Sequence, residues 1–154
     1  MNPHGFLVHF LLLILTITII KSSNHGGNKP KMIADAYGVF VKYHIAVING
    51  LSNETLNVHC KSDSQDKGLQ ILAVNTNFTW SISTGFTSQA FFNCNIIKEH
   101  GGKIEFLAFL DNAKFVDDGC GGRHCFWKAR DNGLYLWHIP DQIYVFKYGW
   151  QGKF

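Results

Sequence analysis

From Tyr37 onward, the chain is built of short runs in which apolar and polar residues alternate. One such run alternates Leu56, Val58 and Cys60 with Asn57, His59 and Lys61. A period of two is typical of a strand that is buried on one face only. Turn residues separate the runs, and Asp131-Asn132-Gly133 is typical of a β-hairpin. The runs number eight or nine and none reads as an amphipathic helix, so the sequence predicts an all-β, antiparallel sandwich or barrel of about eight short strands.

The beginning of the chain has a different character, because residues 6–20 form a largely apolar run before Lys21. A run of about 15 apolar residues is shorter than the roughly 20 that span a bilayer, and it is typical of a secretory signal peptide. We therefore predict a signal peptide over residues 1–22, a flexible polar arm over residues 23–36 and one domain over residues 37–154. The mature protein would be secreted and not stably inserted in a membrane. An uncleaved membrane anchor is the alternative.

All four cysteines, Cys60, Cys94, Cys120 and Cys125, follow the predicted signal peptide. An even number of cysteines in a secreted chain predicts a disulfide framework, here of two bridges. Cys120 and Cys125 are close enough in sequence for a local bridge, but each could also pair with one of the two distant cysteines. The sequence leaves this pairing open. Each bridge should add roughly 2 to 4 kcal/mol to stability.

The balance of charges bears on the kind of partner. The chain carries 14 basic and 11 acidic residues, a formal net charge of +3. Nucleic-acid binding needs a concentrated basic face, so we expect no nucleic-acid partner. Two sequons, at Asn53 and Asn77, are predicted N-glycosylation sites because each precedes a strand-like run at a turn.

The sequence contains few patterns that could carry chemistry. The histidines lack the spacing of zinc ligands, so we expect no metal and no cofactor. His100 beside Lys98 comes nearest to a nuclease site, but no second catalytic motif accompanies it. Trp137 and Trp150 could form a sugar-binding platform, although core packing explains strand aromatics more simply. We therefore predict a protein without enzymatic activity, with a secreted hydrolase or nuclease and a carbohydrate-binding module as the alternatives.

Several short motifs, taken in order, resemble a known family. Val58-His59-Cys60-Lys61-Ser62 followed by Asp66-Lys67-Gly68-Leu69 is similar to a signature of the plant self-incompatibility S1 family, the S-protein homologues. Four further segments resemble later and earlier parts of the same pattern: 47–51 (VINGL), 77–82 (NFTWSI), 91–94 (FFNC) and 125–135 (CFWKARDNGLY). The resemblance covers roughly residues 39–150, which is nearly the whole predicted domain.

The resemblance implies a small secreted β-sandwich, braced by disulfides, that acts as a ligand and not as a catalyst. Because the founding members of the family are signals secreted by the pistil and recognised by pollen, the implied partner is a cell-surface receptor protein. Loops on a rigid sandwich suit such recognition, and we expect the contact surface in residues 62–67, 98–102 and 111–122. The candidate receptor-binding residues are Asp63, Asp66, His100, Asp117 and Asp118. We expect a monomer.

Overall fold

The computed structural model describes residues 40–85 and 89–152, so the predicted signal peptide and arm, residues 1–36, lie outside the described residues. Within these ranges the chain forms nine strands: β1 (Val41–Asn49), β2 (Leu56–Lys61), β3 (Asp66–Leu72), β4 (Asn77–Thr84), β5 (Phe91–Lys98), β6 (Lys103–Leu110), β7 (His124–Arg130), β8 (Gly133–His138) and β9 (Ile143–Tyr148). A short helical turn, Phe115–Cys120, lies between β6 and β7.

The strands form two sheets. One has five strands in the order β4-β1-β7-β8-β9, and the other has four in the order β3-β2-β5-β6. The prediction of an antiparallel, disulfide-braced β-sandwich is confirmed, with nine strands instead of about eight. One neighbouring pair departs from the rule, because β1 and β7 run parallel, with Ile45 opposite Cys125. Parallel neighbours need a long crossover connection, and β1 and β7 are far apart in the chain.

Alternation along each strand decides which side chains enter the core. In β2, Leu56, Val58 and Cys60 are fully buried, and the residues between them point to the outer face. Buried side chains from both sheets form a single cluster. Burying a large apolar side chain contributes about 1.5 to 3 kcal/mol, so this cluster supplies most of the drive for the two sheets to pack.

Aromatic contacts join the sheets across the core. The ring centroids of Phe106 in β6 and Trp127 in β7 are 4.7 Å apart, and those of Tyr43 and Phe109 are 4.9 Å apart. The indole Nε1–H of Trp127 donates a hydrogen bond of 2.9 Å to the carbonyl oxygen of Ala108 in the other sheet. The largest buried ring therefore has its one polar group satisfied, and it fixes the two sheets relative to each other.

Asn49, the last residue of β1, provides a second link between the sheets. Its side chain is fully buried, and Nδ2 donates to the carbonyl oxygens of Glu54 at 3.0 Å and Leu72 at 2.9 Å. Its Oδ1 accepts a hydrogen bond of 3.0 Å from the backbone N–H of Leu51. Since Leu72 ends β3 in the four-stranded sheet, one amide group holds the β1–β2 connection and ties both sheets together.

Both disulfides are formed, and the open pairing is resolved. Cys60 is bonded to Cys94, and these residues lie opposite each other in β2 and β5, with Cα atoms 4.1 Å apart. Cys120 is bonded to Cys125, which joins the helical turn to the start of β7. All four sulfur-bearing side chains are buried. The first bridge braces neighbouring strands of one sheet, and the second anchors the longest connection.

This longest connection, residues 111–123, contains more structure than its Asp- and Gly-rich sequence indicates. Its helical turn packs against the core through Val116 and Cys120. Gly121 ends the turn with φ of 69° and donates its N–H to the carbonyl oxygen of Val116 at 2.8 Å. A Cβ at this position would collide with the ring of Pro140, so glycine is required both for the positive φ and for the close approach.

The connections leave the sandwich at two ends. The register places Lys61, at the end of β2, opposite Asn93 near the start of β5, and it places Phe91 opposite Leu110 at the end of β6. The connections 62–65, 111–123 and 139–142 therefore share one end, which we call the acidic end. The connections 50–55, 73–76, 99–102 and 131–132 share the other, which we call the opposite end.

Candidate functional site

The acidic end concentrates exposed carboxylates in connections that the strands and a disulfide hold in place. Its three connections contain five aspartates, Asp63, Asp111, Asp117, Asp118 and Asp141, against the two basic residues Lys114 and Arg123. Asp141 accepts a bond of 2.7 Å from the His138 ring. The predicted candidates Asp63, Asp117 and Asp118 all lie here, so the structure brings together three residues that are up to 55 positions apart in sequence (118 minus 63).

Asp117 and Asp118 are the most prominent of these carboxylates. Both side chains are exposed on the helical turn, whose buried residues Val116 and Cys120 fasten it to the sandwich. Ring packing of Phe115 against Phe109, with centroids 6.1 Å apart, adds a further contact beneath the turn. Two adjacent negative charges are thus presented on a fixed support, where a partner can meet them without first ordering the loop.

Asp63 lies beside a small polar recess at the same end. The recess has a volume of about 250 Å³ and is lined by the β2–β3 connection, by Ser81 and Ser83 of β4 and by residues 89–92. The connection is a tight turn, because the backbone N–H of Ser62 donates to the carbonyl oxygen of Gln65 at 2.8 Å. Hydroxyl groups and one carboxylate make this recess suited to polar contacts with a partner.

Asp66, the fourth candidate in this region, has a structural role. It is the first residue of β3, and its Oδ1 accepts bonds of 2.7 Å from the backbone N–H of Gly68 and 2.7 Å from the ring of His59. These hydrogen bonds, the one from Gly68 first, hold the pKa of the Asp66 carboxyl below its usual range. Its negative charge therefore stabilises the hairpin and is less available to a partner than that of Asp63.

His100 does not join the other candidates, because it lies in the β5–β6 turn at the opposite end. Its backbone N–H donates to Glu54 Oε2 at 2.9 Å, and its ring Nδ1 lies 3.3 Å from the same oxygen. Lys98 Nζ lies 3.5 Å from the other carboxylate oxygen. Burial opposes ionisation of Glu54, but the His100 N–H and the Lys98 charge outweigh it, and the pKa of Glu54 is lowered.

The nuclease alternative can be weighed on this cluster. General acid–base cleavage needs two groups on opposite sides of a scissile bond, with room for the substrate between them. Here Glu54 and His100 face each other directly, and Lys98 neutralises the carboxylate from the other side. The arrangement satisfies a buried negative charge and fastens the turn to the β1–β2 connection, which is a structural task.

The two tryptophans of the sugar-platform alternative lie in different parts of the molecule. Trp150 is at the opposite end, where its indole N–H donates to the Arg130 carbonyl oxygen at 2.9 Å and Lys98 Nζ lies 5.2 Å above its ring. Trp137 lies on the outer face of the five-stranded sheet, packed edge-to-face on Tyr144 with centroids 4.9 Å apart. Each ring already has its own partners, and the two do not form a joint platform.

An open depression of about 600 Å³ on the four-stranded sheet includes His59 and Glu105. His59 is bonded to Asp66, and Glu105 lies 2.5 Å from Lys103. The imidazole of His59 and the carboxylate of Glu105 are therefore each paired with a different neighbour. In residues 40–85 and 89–152, no three His, Cys, Asp or Glu residues are grouped so that they could hold a metal ion. The same ranges contain no helix that is long and apolar enough to cross a membrane.

Both sequons lie at accessible positions. Asn53 is exposed in the β1–β2 connection, and Asn77 is exposed at the start of β4, an edge strand of the five-stranded sheet. A glycan at either residue would extend into solvent. Glycosylation of Asn53 and Asn77 stays a prediction.

One surface is represented among the sequence candidates only by Trp137, from the sugar-platform alternative. Lys128 and Arg130 of β7 lie beside Tyr135 and Tyr144 on the outer face of the five-stranded sheet. No motif pointed to these basic residues. A signal was nevertheless present, since all five strands of this sheet lack Asp and Glu.

Comparison with known proteins agrees with the motif resemblance. The family described as plant self-incompatibility protein S1 matches residues 44–150. The chain is 32% identical over 111 residues to S-protein homolog 1 of Arabidopsis thaliana, covering 71% of this chain and 72% of the relative. It is 32% identical over 136 residues to S-protein homolog 74 of Arabidopsis thaliana, covering 87% and 89%. It is 24% identical over 138 residues to self-incompatibility protein S1 of Papaver rhoeas, covering 89% and 88%.

Proposed function

Because the chain belongs to the plant self-incompatibility protein S1 family, we propose that it is a secreted, non-enzymatic ligand that binds a cell-surface receptor protein through the acidic end. The observation that carries this proposal is the group of exposed aspartates, Asp63, Asp117 and Asp118, at one end of a rigid sandwich. The family relationship supports a role related to self-incompatibility. The geometry supports the choice of surface.

The construction of the acidic end suits selective binding. A partner that binds a preformed loop does not bear the entropy cost of ordering it, which is about 0.5 to 1.5 kcal/mol for each immobilised side chain. The Cys120–Cys125 bridge and the packing of Val116 hold the Asp117-Asp118 pair in this way. Exposed loop residues can also differ between related proteins without disturbing the core, which allows one fold to serve many specificities.

The charge of this surface indicates the chemistry of the receptor. Five aspartates against two basic residues favour a basic patch on the partner. Complementary charges speed association and exclude partners of the same sign. We therefore expect receptor binding to weaken as salt concentration rises, since the contacts are exposed and screened.

Secretion is part of the same proposal. The apolar run at residues 6–20 supports entry into the secretory pathway, and the two disulfides are of a kind that persists in oxidising compartments. The mature ligand is proposed to act as a monomer and to carry glycans at Asn53 and Asn77. N-terminal sequencing of the secreted protein should find a start close to Ser23.

The proposal that the protein is a ligand and not an enzyme rests on how its titratable groups are used. His100 and Lys98 are both bonded to Glu54, and His59 is bonded to Asp66. A hydrolase would need such groups to face a substrate. Turnover of a phosphodiester or glycoside substrate that is lost in His100→Ala would establish the enzyme alternative instead.

The test compares two double variants in binding to receptor-bearing cells. Asp117→Asn with Asp118→Asn removes two charges from the acidic end. Glu99→Gln with Glu105→Gln removes two exposed charges elsewhere and keeps side chains of similar shape. We expect the first variant to bind at least about tenfold more weakly, a change of 1.4 kcal/mol, and the control to bind as the parent does.

The Asp117→Asn, Asp118→Asn variant should keep the circular-dichroism spectrum and melting temperature of the parent, because exposed substitutions usually change stability by less than about 0.5 kcal/mol. Glu99 and Glu105 are bonded to Thr55 and Lys103, so the control is compared only after circular dichroism shows that it is folded. Equal loss of binding in both variants would mean that only net charge matters. Full binding by a folded Asp117→Asn, Asp118→Asn protein would remove these residues from the receptor surface.

A further inference from the structure

The five-stranded sheet has an unusual distribution of charge. Its strands contain four basic residues, Lys42, Lys128, Arg130 and Lys147, and no Asp or Glu. The four-stranded sheet also has four basic residues in its strands, but two of them, Lys98 and Lys103, are paired with carboxylates. The basic residues of the five-stranded sheet form no ion pair with any residue of the described ranges 40–85 and 89–152. Within these ranges, the basic residues of this sheet therefore carry positive charge that no carboxylate neutralises by direct pairing.

Two of these cations lie within a cluster of aromatic rings on the outer face, which we call the basic aromatic face: Lys128, Arg130, Tyr135, Trp137, Tyr144 and Phe146. The strand register creates the cluster, because Tyr135 pairs with both Lys128 and Phe146, and Trp137 pairs with Tyr144. Side chains directly opposite each other on neighbouring strands are close enough to touch. The cluster thus crosses β7, β8 and β9.

The cations are held above the rings. The guanidinium carbon of Arg130 lies 4.6 Å from the ring centroid of Tyr135 and 5.3 Å from that of Tyr144. Lys128 Nζ lies 5.7 Å from the Tyr144 centroid. Contacts of this kind orient a cation but leave its charge available, since each is worth only about 0.5 to 1 kcal/mol at an exposed site. The face is consequently a preorganised, positively charged surface.

This face also includes an exposed apolar side chain. Phe146 of β9 is 51% exposed. Arg, Tyr and Trp are the residues most enriched at the energetic centre of protein interfaces, and apolar neighbours help to exclude water around them. The composition of the basic aromatic face matches that pattern, although it lies on strands and not on loops.

We propose that the basic aromatic face is a second interaction surface, which binds an acidic segment of a partner protein. Charge complementarity selects the partner: the carboxylates of such a segment would meet Arg130 and Lys128, and its apolar side chains would meet Phe146. This goes beyond the proposed function, because it concerns a different surface and holds whether or not the acidic end binds the receptor.

The geometry favours a protein segment over a sugar or a nucleic acid. Stacking of a sugar or a base needs an aromatic ring with one open face. Here cations lie over Tyr135 and Tyr144, and the rings pack edge-to-face in the pairs Tyr135–Phe146 and Trp137–Tyr144. Two cations are also few for a phosphate backbone, whose binding depends on neutralising several charges.

The test is a selection from a random-peptide display library against the oxidised protein, without assuming a partner. We expect the enriched peptides to carry an excess of Asp and Glu over the unselected library. Lys128→Gln with Arg130→Gln should weaken their binding at least about tenfold, a change of 1.4 kcal/mol. The matched control, Lys61→Gln with Lys114→Gln, removes two exposed positive charges outside the five-stranded sheet and should bind as the parent does. Arg130→Lys, which keeps the charge, should retain most of the binding if the double variant fails to fold.

Three results would overturn the proposal. Enriched peptides without acidic excess would contradict the charge argument. Equal loss in the two double variants would show attraction to net charge and not to this face. Binding of the parent to phosphatidylserine vesicles but to no selected peptide would assign the face to a membrane surface. The cell-binding assay of the acidic-end variants does not involve the basic aromatic face, so its outcome would leave these three results unchanged. The receptor proposal and the proposal for this face can therefore be refuted independently.

Discussion

Replacement of Asn49 is the sharpest test of how the sandwich is held together. Asn49→Ala removes one buried amide and leaves the Leu51 N–H and the carbonyl oxygens of Glu54 and Leu72 without that partner. These three residues are buried, with 2%, 9% and 7% of their surface exposed. An unsatisfied buried backbone group costs about 1 to 3 kcal/mol. Partial access of water to the gap reduces the sum, so we expect a loss of about 3 to 5 kcal/mol.

The measurement is thermal and urea denaturation of the oxidised protein, followed by circular dichroism. A domain of this size loses about 4 °C in melting temperature for each kcal/mol, so Asn49→Ala should melt roughly 12 to 20 °C lower. Asn49→Asp is a second variant of nearly equal volume. It keeps the acceptor for Leu51 but directs a carboxylate at two carbonyl oxygens, and it should destabilise the fold at least as much at neutral pH.

Asn93→Ala is the matched control, because Asn93 is exposed on the outer face of β5. It should change stability by less than about 0.5 kcal/mol. If Asn49→Ala lost no more than the control does, Asn49 would not be the link between the sheets. If it lost much stability but Asn49→Asp lost little, the acceptor bond to Leu51 alone would carry the effect.

Two further predictions concern the disulfides and pH. The Cys60–Cys94 bridge closes a loop of 34 residues, and the Cys120–Cys125 bridge closes a loop of 5. Loop-closure entropy therefore predicts that Cys60→Ala with Cys94→Ala lowers the free energy of unfolding by about 4 kcal/mol, and that the other pair of substitutions lowers it by about 2 kcal/mol. Equal losses in urea denaturation would contradict that ranking. Because the pKa of Glu54 in the folded protein is below its ordinary value of 4.5, the ionised carboxylate stabilises the fold fully above pH 4.5. This contribution disappears as the pH falls through the lowered pKa. Glu54→Gln should therefore destabilise the protein at pH 7 and flatten the dependence of melting temperature on pH below about 4.5, and an unchanged acid limb would refute this role.

The strands themselves could be predicted, because burial on one face imposes the period of two. Leu56, Val58 and Cys60, the apolar residues of the alternating run, are the buried positions of β2. The loop predicted over residues 62–67 is shorter, because β3 begins at Asp66, where the hydrogen bonds of Asp66 extend the hairpin by two residues. Side-chain bonding of this kind has no periodic signature.

Tertiary features could not be predicted from the sequence either, because local patterns do not encode contacts between distant residues. The parallel pairing of β1 with β7 depends on contacts between residues about 80 positions apart, which local alternation does not encode. The helical turn at Phe115–Cys120 is too short for an amphipathic period, and it owes its shape to the Cys120–Cys125 bridge and to Gly121. Local patterns predict the individual strands well, but which strands pair with each other is determined by tertiary packing.

The structure brings part of the candidate set together, and receptor binding by these residues stays a prediction. Asp63, Asp117 and Asp118 lie at one end of the sandwich. His100 lies at the other end, and strand order contains the reason: successive connections in an antiparallel sandwich alternate between its ends. The connections after β2 and β6 lie at one end, and the turn after β5 lies at the other. Counting strands would have separated the two sets.

Site-specific photo-crosslinking on living cells tests the central claim most directly. A benzophenone amino acid replaces Lys114, beside Asp118 at the acidic end, in one protein and His100 at the opposite end in another, because both side chains are exposed and all five aspartates are kept. Each protein is applied to receptor-bearing cells, irradiated and recovered. We predict a crosslink to one cell-surface protein from position 114, competed by unlabelled parent, and none from position 100. A crosslink from position 100 with none from position 114 would contradict recognition through the acidic end.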